Sequence, residues 1–173
     1  MKNWEKCIEF HGHSCGGLAI GYKAAMYAKE LLNLTFSQDE QLVCIAENDS
    51  CSIDAIQVLL GCSIGKGNLL FHMTGKQAYS FYNRISGESV RLVLNNRSDK
   101  QEKEQIINDY LNSAPEKLFK ITKTKIDLPK RARIFKSYKC EICGEITASN
   151  YIRIQDSKKV CLDCFDNYNR FKV

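Results

Sequence analysis

The stretch Phe10-His11-Gly12-His13-Ser14-Cys15-Gly16-Gly17-Leu18-Ala19-Ile20-Gly21-Tyr22, running on to Asn33, decides how this chain is read. Within residues 15–33, Leu18, Tyr22, Ala25, Met26 and Leu32 recur at roughly helical spacing. Alanine and glycine between them keep the surface small enough for close packing, so the segment reads as one helix. Ser14 is placed to cap it, with Cys15 in the first turn. Working outward, Leu42–Ala46 is a short apolar run of strand character. Ser52–Leu60 is a second helix: Ser52 can cap it, Asp54 suits the positive end of its dipole and Gly61 stops it. Asn68–Thr74, Ala78–Ile85 and Ser89–Leu94 read as strands separated by Gly75 and Gly87. Gln101–Leu111 reads as an amphipathic helix and Pro115–Ile121 as another.

Composition sets the outer bounds. The chain has 173 residues, 44% hydrophobic and 26% charged, which excludes collagen-like, disordered and coiled-coil classes. No apolar run approaches the ~18–20 residues that a membrane-spanning helix needs. The opening residues lead into no signal-peptide pattern, so the expected location is the cytoplasm. Residues 1–124 carry fourteen charges of each sign, so the whole net +5 lies in 125–173, eleven basic against six acidic. Cations beside a cluster of metal-bound thiolates account for that excess, and nucleic acid is not the expected partner.

Nine cysteines are an odd count in a chain expected to stay in a reducing compartment. Metal ligands and reactive thiols are therefore favoured over disulfides. Cys140-Glu-Ile-Cys143 and Cys161-Leu-Asp-Cys164 are separated by seventeen residues, a spacing that fits a structural zinc site. Four cysteines fill a tetrahedron and leave no open position. Residues 137–173 are too few to fold on a core alone, so zinc is the expected staple. A knuckle, a hairpin and a helix over Leu162–Phe171 would make a treble clef. The expected organisation is thus a domain over 1–124, a linker over 125–136 and a finger over 137–173.

The N-terminal group is of another kind. His11 and His13 are two of the three histidines and stand just before Cys15. Imidazole and thiolate together suit zinc and other first-row metals. In an extended segment, alternate residues His11, His13 and Cys15 would face one side. Cys51 precedes the second helix, and a cysteine at a helix N-terminus gains thiolate character. Cys62 lies at the other end of that helix, about 14–16 Å from Cys51 at 1.5 Å per residue, so the two could not share one ion within a single chain. Cys51 is favoured and Cys62 stays a second candidate. Cys7 and Cys44 read as small buried hydrophobes. The run Gly61–Asn68 fails the phosphate-loop template in its spacing and its missing Ser/Thr. A turn presenting Lys66 to an anion, or a plain glycine turn, remains open.

Phe10-His11-Gly12-His13-Ser14-Cys15 with Gly17–Ala25, and Cys51–Gln57 with Gly61–Leu69, resemble two motifs of the FmdE family, named for formylmethanofuran dehydrogenase. The resemblance covers about residues 5–120, and the four terminal cysteines match its two-domain members. Gly16 stands where the family usually has proline. The resemblance implies an α+β fold: a thioredoxin-like mixed sheet flanked by helices, followed by a treble-clef zinc finger. It also implies a zinc-binding active site lined by His11, His13, Cys15, Cys51 and Cys62, with Asp54 and Lys66 nearby. Cys15 or Cys51 would supply a thiolate, His11 or His13 a ligand or general base, and Lys66 an anion contact. The function implied is a cytoplasmic metalloprotein accessory to molybdenum or tungsten formylmethanofuran dehydrogenase or related anaerobic metabolism. Its partners would be redox-enzyme subunits and a second copy of the chain. The competing reading is a non-catalytic scaffold that docks a partner through its finger.

Overall fold

Why the helices pack as they do follows from the alanines and glycines of residues 16–31. The computed structural model describes residues 2–96, 102–168 and 170 and divides into two units, Met1–Ala132 and Arg133–Val173. In the first, α1 (Lys2–His11), α2 (Gly16–Leu31) and β1 (Leu42–Ala46) are followed by α3 (Ser52–Leu60) and β2 (Leu69–Phe71). Then come β3 (Ala78–Asn83), β4 (Ser89–Leu94), α4 (Lys103–Asn112), α5 (Pro115–Leu118) and β5 (Phe119–Thr122). The strands form one mixed sheet in the order β2-β1-β3-β4-β5. β1 and β2 are parallel and joined through α3, whereas the remaining pairs are antiparallel. A parallel pair requires such a crossover.

The strand β1 is buried along its whole length. Cys44 and Ala46 pack with Ala24, Ala28, Ile56, Leu60, Phe81 and Leu92 in the main core. Val43 and Ile45 point the other way and join Tyr82 and Leu70. That second face is closed partly by chain that its sequence marks as a linker. Tyr82 Oη donates to Ile126 O at 2.5 Å, Arg84 Nη2 donates to Pro129 O at 2.7 Å, and Ala132 N donates to the Glu40 carboxylate. Residues 126–132 are therefore tied to the first unit by their backbone.

Three local expectations change. The segment Pro115–Ile121, expected as a helix, makes one helical turn and then extends as β5, with Leu94 opposite Phe119 and Leu92 opposite Ile121. The proline starts the turn, but burial of Phe119 and pairing with β4 override helix continuation. The α1 helix has no counterpart among the elements expected from sequence. It buries only Cys7 fully, which packs with Leu18 and Ala55, so its apolar stripe is too thin to register as periodicity. The strand expected over Asn68–Thr74 shrinks to Leu69–Phe71 because Asn68 is used as a loop fastener. Its Oδ1 accepts from Ser63 N, and its Nδ2 donates to the carbonyls of Asp39, Leu42 and Gly61. The helix expected over Gln101–Leu111 begins at Lys103, and Gln101 lies outside the described residues.

One buried charge pair lies just beyond β1. Arg91 Nε donates to Glu47 Oε1 at 2.5 Å, both side chains being nearly inaccessible. Thr74 Oγ1 donates to the other carboxylate oxygen and Arg91 Nη1 donates to Thr122 Oγ1. The arginine hydrogen bond holds the Glu47 pKa below its ordinary 4.5. A depressed carboxylate stabilises the fold above its unfolded pKa, and that contribution disappears as pH falls through the folded value. Unfolding midpoints should therefore drop as pH is lowered below 4.5, and less so in Glu47→Gln. Arg91→Met should cost about 3–5 kcal/mol at neutral pH, because it strands a buried carboxylate. Denaturant titration of the three proteins checks both outcomes.

The second unit consists of two hairpins, β6 (Ser137–Lys139) with β7 (Ile146–Ala148), and β8 (Ile152–Gln155) with β9 (Lys158–Cys161). Its core is small: Cys140, Val160 and Cys161, with Cys164 and Phe165 against them. The helix expected over Leu162–Phe171 does not form across 162–168, and Phe171 lies outside the described residues. Cys164 N and Phe165 N both donate to Cys161 O, which closes a single turn. Asp166 N then donates to Gln155 Oε1 at 2.8 Å, drawing the chain towards β8 instead of round a second turn.

Candidate metal sites

In the finger, the sulfurs of Cys140, Cys143, Cys161 and Cys164 all lie within 4.8 Å of one another. Each C-x-x-C turn sits beside a hairpin, and Gly144 N donates to Cys140 O at 2.9 Å to close the first. Cys161 N donates to Cys140 Sγ at 3.3 Å. That amide, with those of Cys143 and Ile142, brings Cys140 down to about 6. Cys164 is pushed up to about 12, chiefly by its hydrogen bond with the Cys161 thiol. Crowding four thiolates is unfavourable until a dication offsets their charge, and four sulfurs in this arrangement leave no coordination position for a substrate.

The first unit builds a different site, and it does so at a junction of helix ends. His11 is the last residue of α1, and Gly12 N donates to Ile8 O at 2.7 Å. Gly12 has φ +87°, a left-handed conformation that glycine adopts without steric cost. The chain thus reverses between His11 and His13, and the two imidazoles approach with ring centroids 4.4 Å apart. This replaces the extended segment expected from the sequence: a helix end and a turn bring the groups together. Cys15, not Ser14, is the N-cap of α2. Its backbone is extended and its Sγ accepts from Leu18 N at 3.3 Å.

The ligating atoms of His11, His13 and Cys15 all lie within 4.8 Å of one another. His11 Nδ1 donates to Asp54 Oδ2 at 2.6 Å, while its Nε2 faces Cys15 Sγ at 3.9 Å. Gln57 Nε2 donates to the other Asp54 oxygen at 3.2 Å. The carboxylate accepts from both sides, so the His11 proton belongs on Nδ1 and the Nε2 lone pair is directed at the cluster. A carboxylate behind a histidine in this way fixes tautomer and ring orientation for a metal ligand. Two nitrogens and one sulfur suit zinc and its neighbours. His13 is exposed and Cys15 half-buried, so the donors are open to solvent.

Not every residue singled out in the sequence reaches this cluster. Cys51 stands at the N-cap position of α3 without capping it through its side chain. Its thiol lies beside that of Cys15 but outside the mutually close set, and burial together with the Cys15 sulfur pushes its pKa up. This opposes the thiolate character expected from the helix end. Cys62 is wholly buried in the main core, and burial raises it to about 12; the same desolvation raises Cys44, which feels the Cys62 sulfur. Cys62 therefore joins no site and, with Cys7 and Cys44, serves as a small core residue. Lys66 donates to Ser37 O at 2.7 Å and lies over the Phe36 ring, so its ammonium fastens a loop and is not held out for an anion. Gly61–Asn68 is thus a turn stitched by Asn68. Asp54 was legible as a helix-dipole residue, but its hydrogen bond to His11 depends on α1, which the sequence did not announce.

A mixed α+β unit with clustered imidazole and thiol groups, joined to a four-cysteine finger, defines a metal-binding protein. Residues 10–124 match the family described as "FmdE, Molybdenum formylmethanofuran dehydrogenase operon". The chain belongs to that FmdE family, and both N-terminal motifs fall inside the matched span. The crystal structure of an FmdE-like protein of tungsten formylmethanofuran dehydrogenase, from Syntrophus aciditrophicus, superposes with a TM-score of 0.68. It is 25% identical, and the likeness covers 92% of this chain and 88% of that one. A probable S-adenosyl-L-methionine-binding protein from Archaeoglobus fulgidus is 27% identical over 92% of this chain. The chain spans about half, 51%, of that relative's length. No helix among the described residues is long and apolar enough to cross a membrane.

Proposed function

We propose that this chain is a cytoplasmic FmdE-like metalloprotein that holds zinc in its finger and zinc, or another first-row metal, on His11, His13 and Cys15. It serves molybdenum- or tungsten-dependent formylmethanofuran dehydrogenase chemistry or related anaerobic metabolism. The observation that carries this reading is the Asp54–His11 hydrogen bond, which turns Nε2 towards the Cys15 sulfur. Three protein donors leave room for a substrate, and an ion held by them would supply a Lewis acid at an open position. The chain's own contributions are definite. Asp54 orients His11, Gln57 steadies Asp54, and the Gly12 turn delivers His13 from the solvent side. Homodimerisation and association with redox-enzyme subunits belong to the same proposal.

Metal counting tests it. The chain prepared anaerobically should bind one ion beyond the finger's own, identified by elemental analysis. His11→Ala and Cys15→Ala should each lose that ion while retaining the other. Asp54→Asn should weaken it by about 10–100-fold, the usual cost of losing a partner behind a metal-bound histidine. Retention of both ions in His11→Ala and Cys15→Ala would overturn the assignment.

The alternative, a docking module without turnover, draws support from the finger's surface. Tyr151 and Tyr168 are 54% and 81% exposed, and aromatic residues are enriched at protein interfaces. Under that reading, mutating both tyrosines would abolish partner binding and leave the metal content of the first unit unchanged.

A further inference from the structure

Cys51 is held against the cluster without belonging to it, and no other feature of the site uses its thiol. We infer that Cys15 and Cys51 form a redox-active dithiol, whose closure to a disulfide withdraws the sulfur donor from the His11–His13–Cys15 site. The inference rests on the reading of that cluster as a metal site and adds a control on it.

The geometry comes from two helix starts pressed together. Cys15 caps α2 and Cys51 stands at the N-cap position of α3. Between them lies Gly17: a Cβ placed there would sit 3.8 Å from each of the two sulfurs and 3.1 Å from Cys51 Cβ. Both sulfurs therefore share the space over one glycine, and the two thiols are within hydrogen-bonding reach of each other. The backbones beneath them are pinned, because Gly21 of α2 lies directly against the Ser52 carbonyl of α3. Exposure separates this pair from the remaining thiols of the unit. Cys15 and Cys51 are half-buried, whereas Cys7, Cys44 and Cys62 are completely inaccessible. A solute can reach the first two and not the others.

The chemistry balances with a low-molecular-weight disulfide, RSSR, as oxidant. The Cys15 sulfur attacks one sulfur of RSSR; the S–S bond breaks, and the leaving thiolate takes up a proton as RSH. Cys51 then attacks the Cys15 sulfur of the mixed disulfide, forming the protein disulfide and releasing the second RSH. The protein gives up two electrons and two protons, and RSSR becomes two thiols. Cys15 is then no longer a thiolate donor, and the two imidazoles alone hold an ion far less well. Cys51 is the resolving thiol, which explains a sulfur placed beside one ligand and away from the others.

Oxidised glutathione is the probe, applied to the full chain with zinc bound and again after chelator treatment, followed by alkylation and peptide mapping. The expected result is a Cys15–Cys51 cross-link in both preparations, with loss of the first unit's ion from the zinc-bound one and its return after reduction. Cys51→Ser should keep its ion before oxidation and then accumulate a stable glutathione adduct on Cys15. A wild-type chain that stops at the Cys15 adduct, or cross-links Cys15 elsewhere, overturns the inference. So does loss of the ion in Cys51→Ser, which would make Cys51 a ligand. If the cross-link forms in a chain that never takes up a second ion, the dithiol stands and the metal reading of the cluster falls.

Discussion

Gly21→Ala is expected to lower the stability of the first unit by about 3 kcal/mol or more, at the upper end of what overpacking a core costs. A Cβ at that position would lie 2.0 Å from the Ser52 carbonyl oxygen and 2.6 Å from the carbonyl carbon and Cα of the same residue. All three are backbone atoms, so no side-chain rotation relieves the clash. The helices α2 and α3 must separate, and α3 carries Asp54, with Cys51 at its start. The variant should therefore lose the first unit's metal binding along with stability, since Asp54 can no longer reach His11. Gly65→Ala is the control. Nothing lies within 4 Å of a Cβ there, so its effect should stay within about 0.5 kcal/mol. Denaturant titration of both variants decides the matter, and equal midpoints would show that the helices do not cross this closely.

This crossing also explains which parts of the molecule could be read from sequence. The strands Leu42–Ala46 and Ser89–Leu94 and the helix Ser52–Leu60 form over the residues their patterns indicate, because each is a single element with clear punctuation. Gly61 ends α3 as its position suggested. The β5 strand was hidden because Phe119–Thr122 follows a helix-starting proline, and only the free edge of β4 makes an extended conformation worthwhile. The finger helix failed for a similar reason. The aromatic spacing after Cys161 looks helical, yet the Gln155 side chain captures Asp166 N. In the site, the residue types were legible and their grouping only partly. His11, His13 and Cys15 come together as expected, but through the end of α1 and a left-handed glycine. Cys62 and Lys66 carried the same chemical promise, and burial in one case and a backbone carbonyl in the other redirected it. Gly16, where the family usually has proline, also acquires a local explanation. A Cβ there would come 2.6 Å from Ile106 Cγ2, so α4 packs into the space that a ring would occupy.

Removing the ion from the finger should have the largest local effect in the molecule. The second unit has only Cys140, Val160 and Cys161 fully buried, with Cys164 and Phe165 packed on them. Three of the five are proposed ligands, so the apolar core without a metal amounts to little more than one valine and one phenylalanine. A fully buried valine contributes about 1.5–3 kcal/mol. Ordering a residue costs roughly 1.5 kcal/mol, and both hairpins must be ordered. Structural zinc in comparable small domains supplies about 10–16 kcal/mol, which is the right size to close that deficit. A strong chelator, or Cys161→Ser, should therefore abolish hydrogen-exchange protection across β6 to β9. Amides of β1 and β3, which belong to a separate core, should keep theirs. The reverse experiment is equally specific: adding zinc back to the chelated wild type should restore protection in the second unit, and adding it to Cys161→Ser should not. Persistent protection in the chelated chain would mean that the hairpins stand on their own packing, and the four sulfurs would then need another reason for lying within reach of one ion.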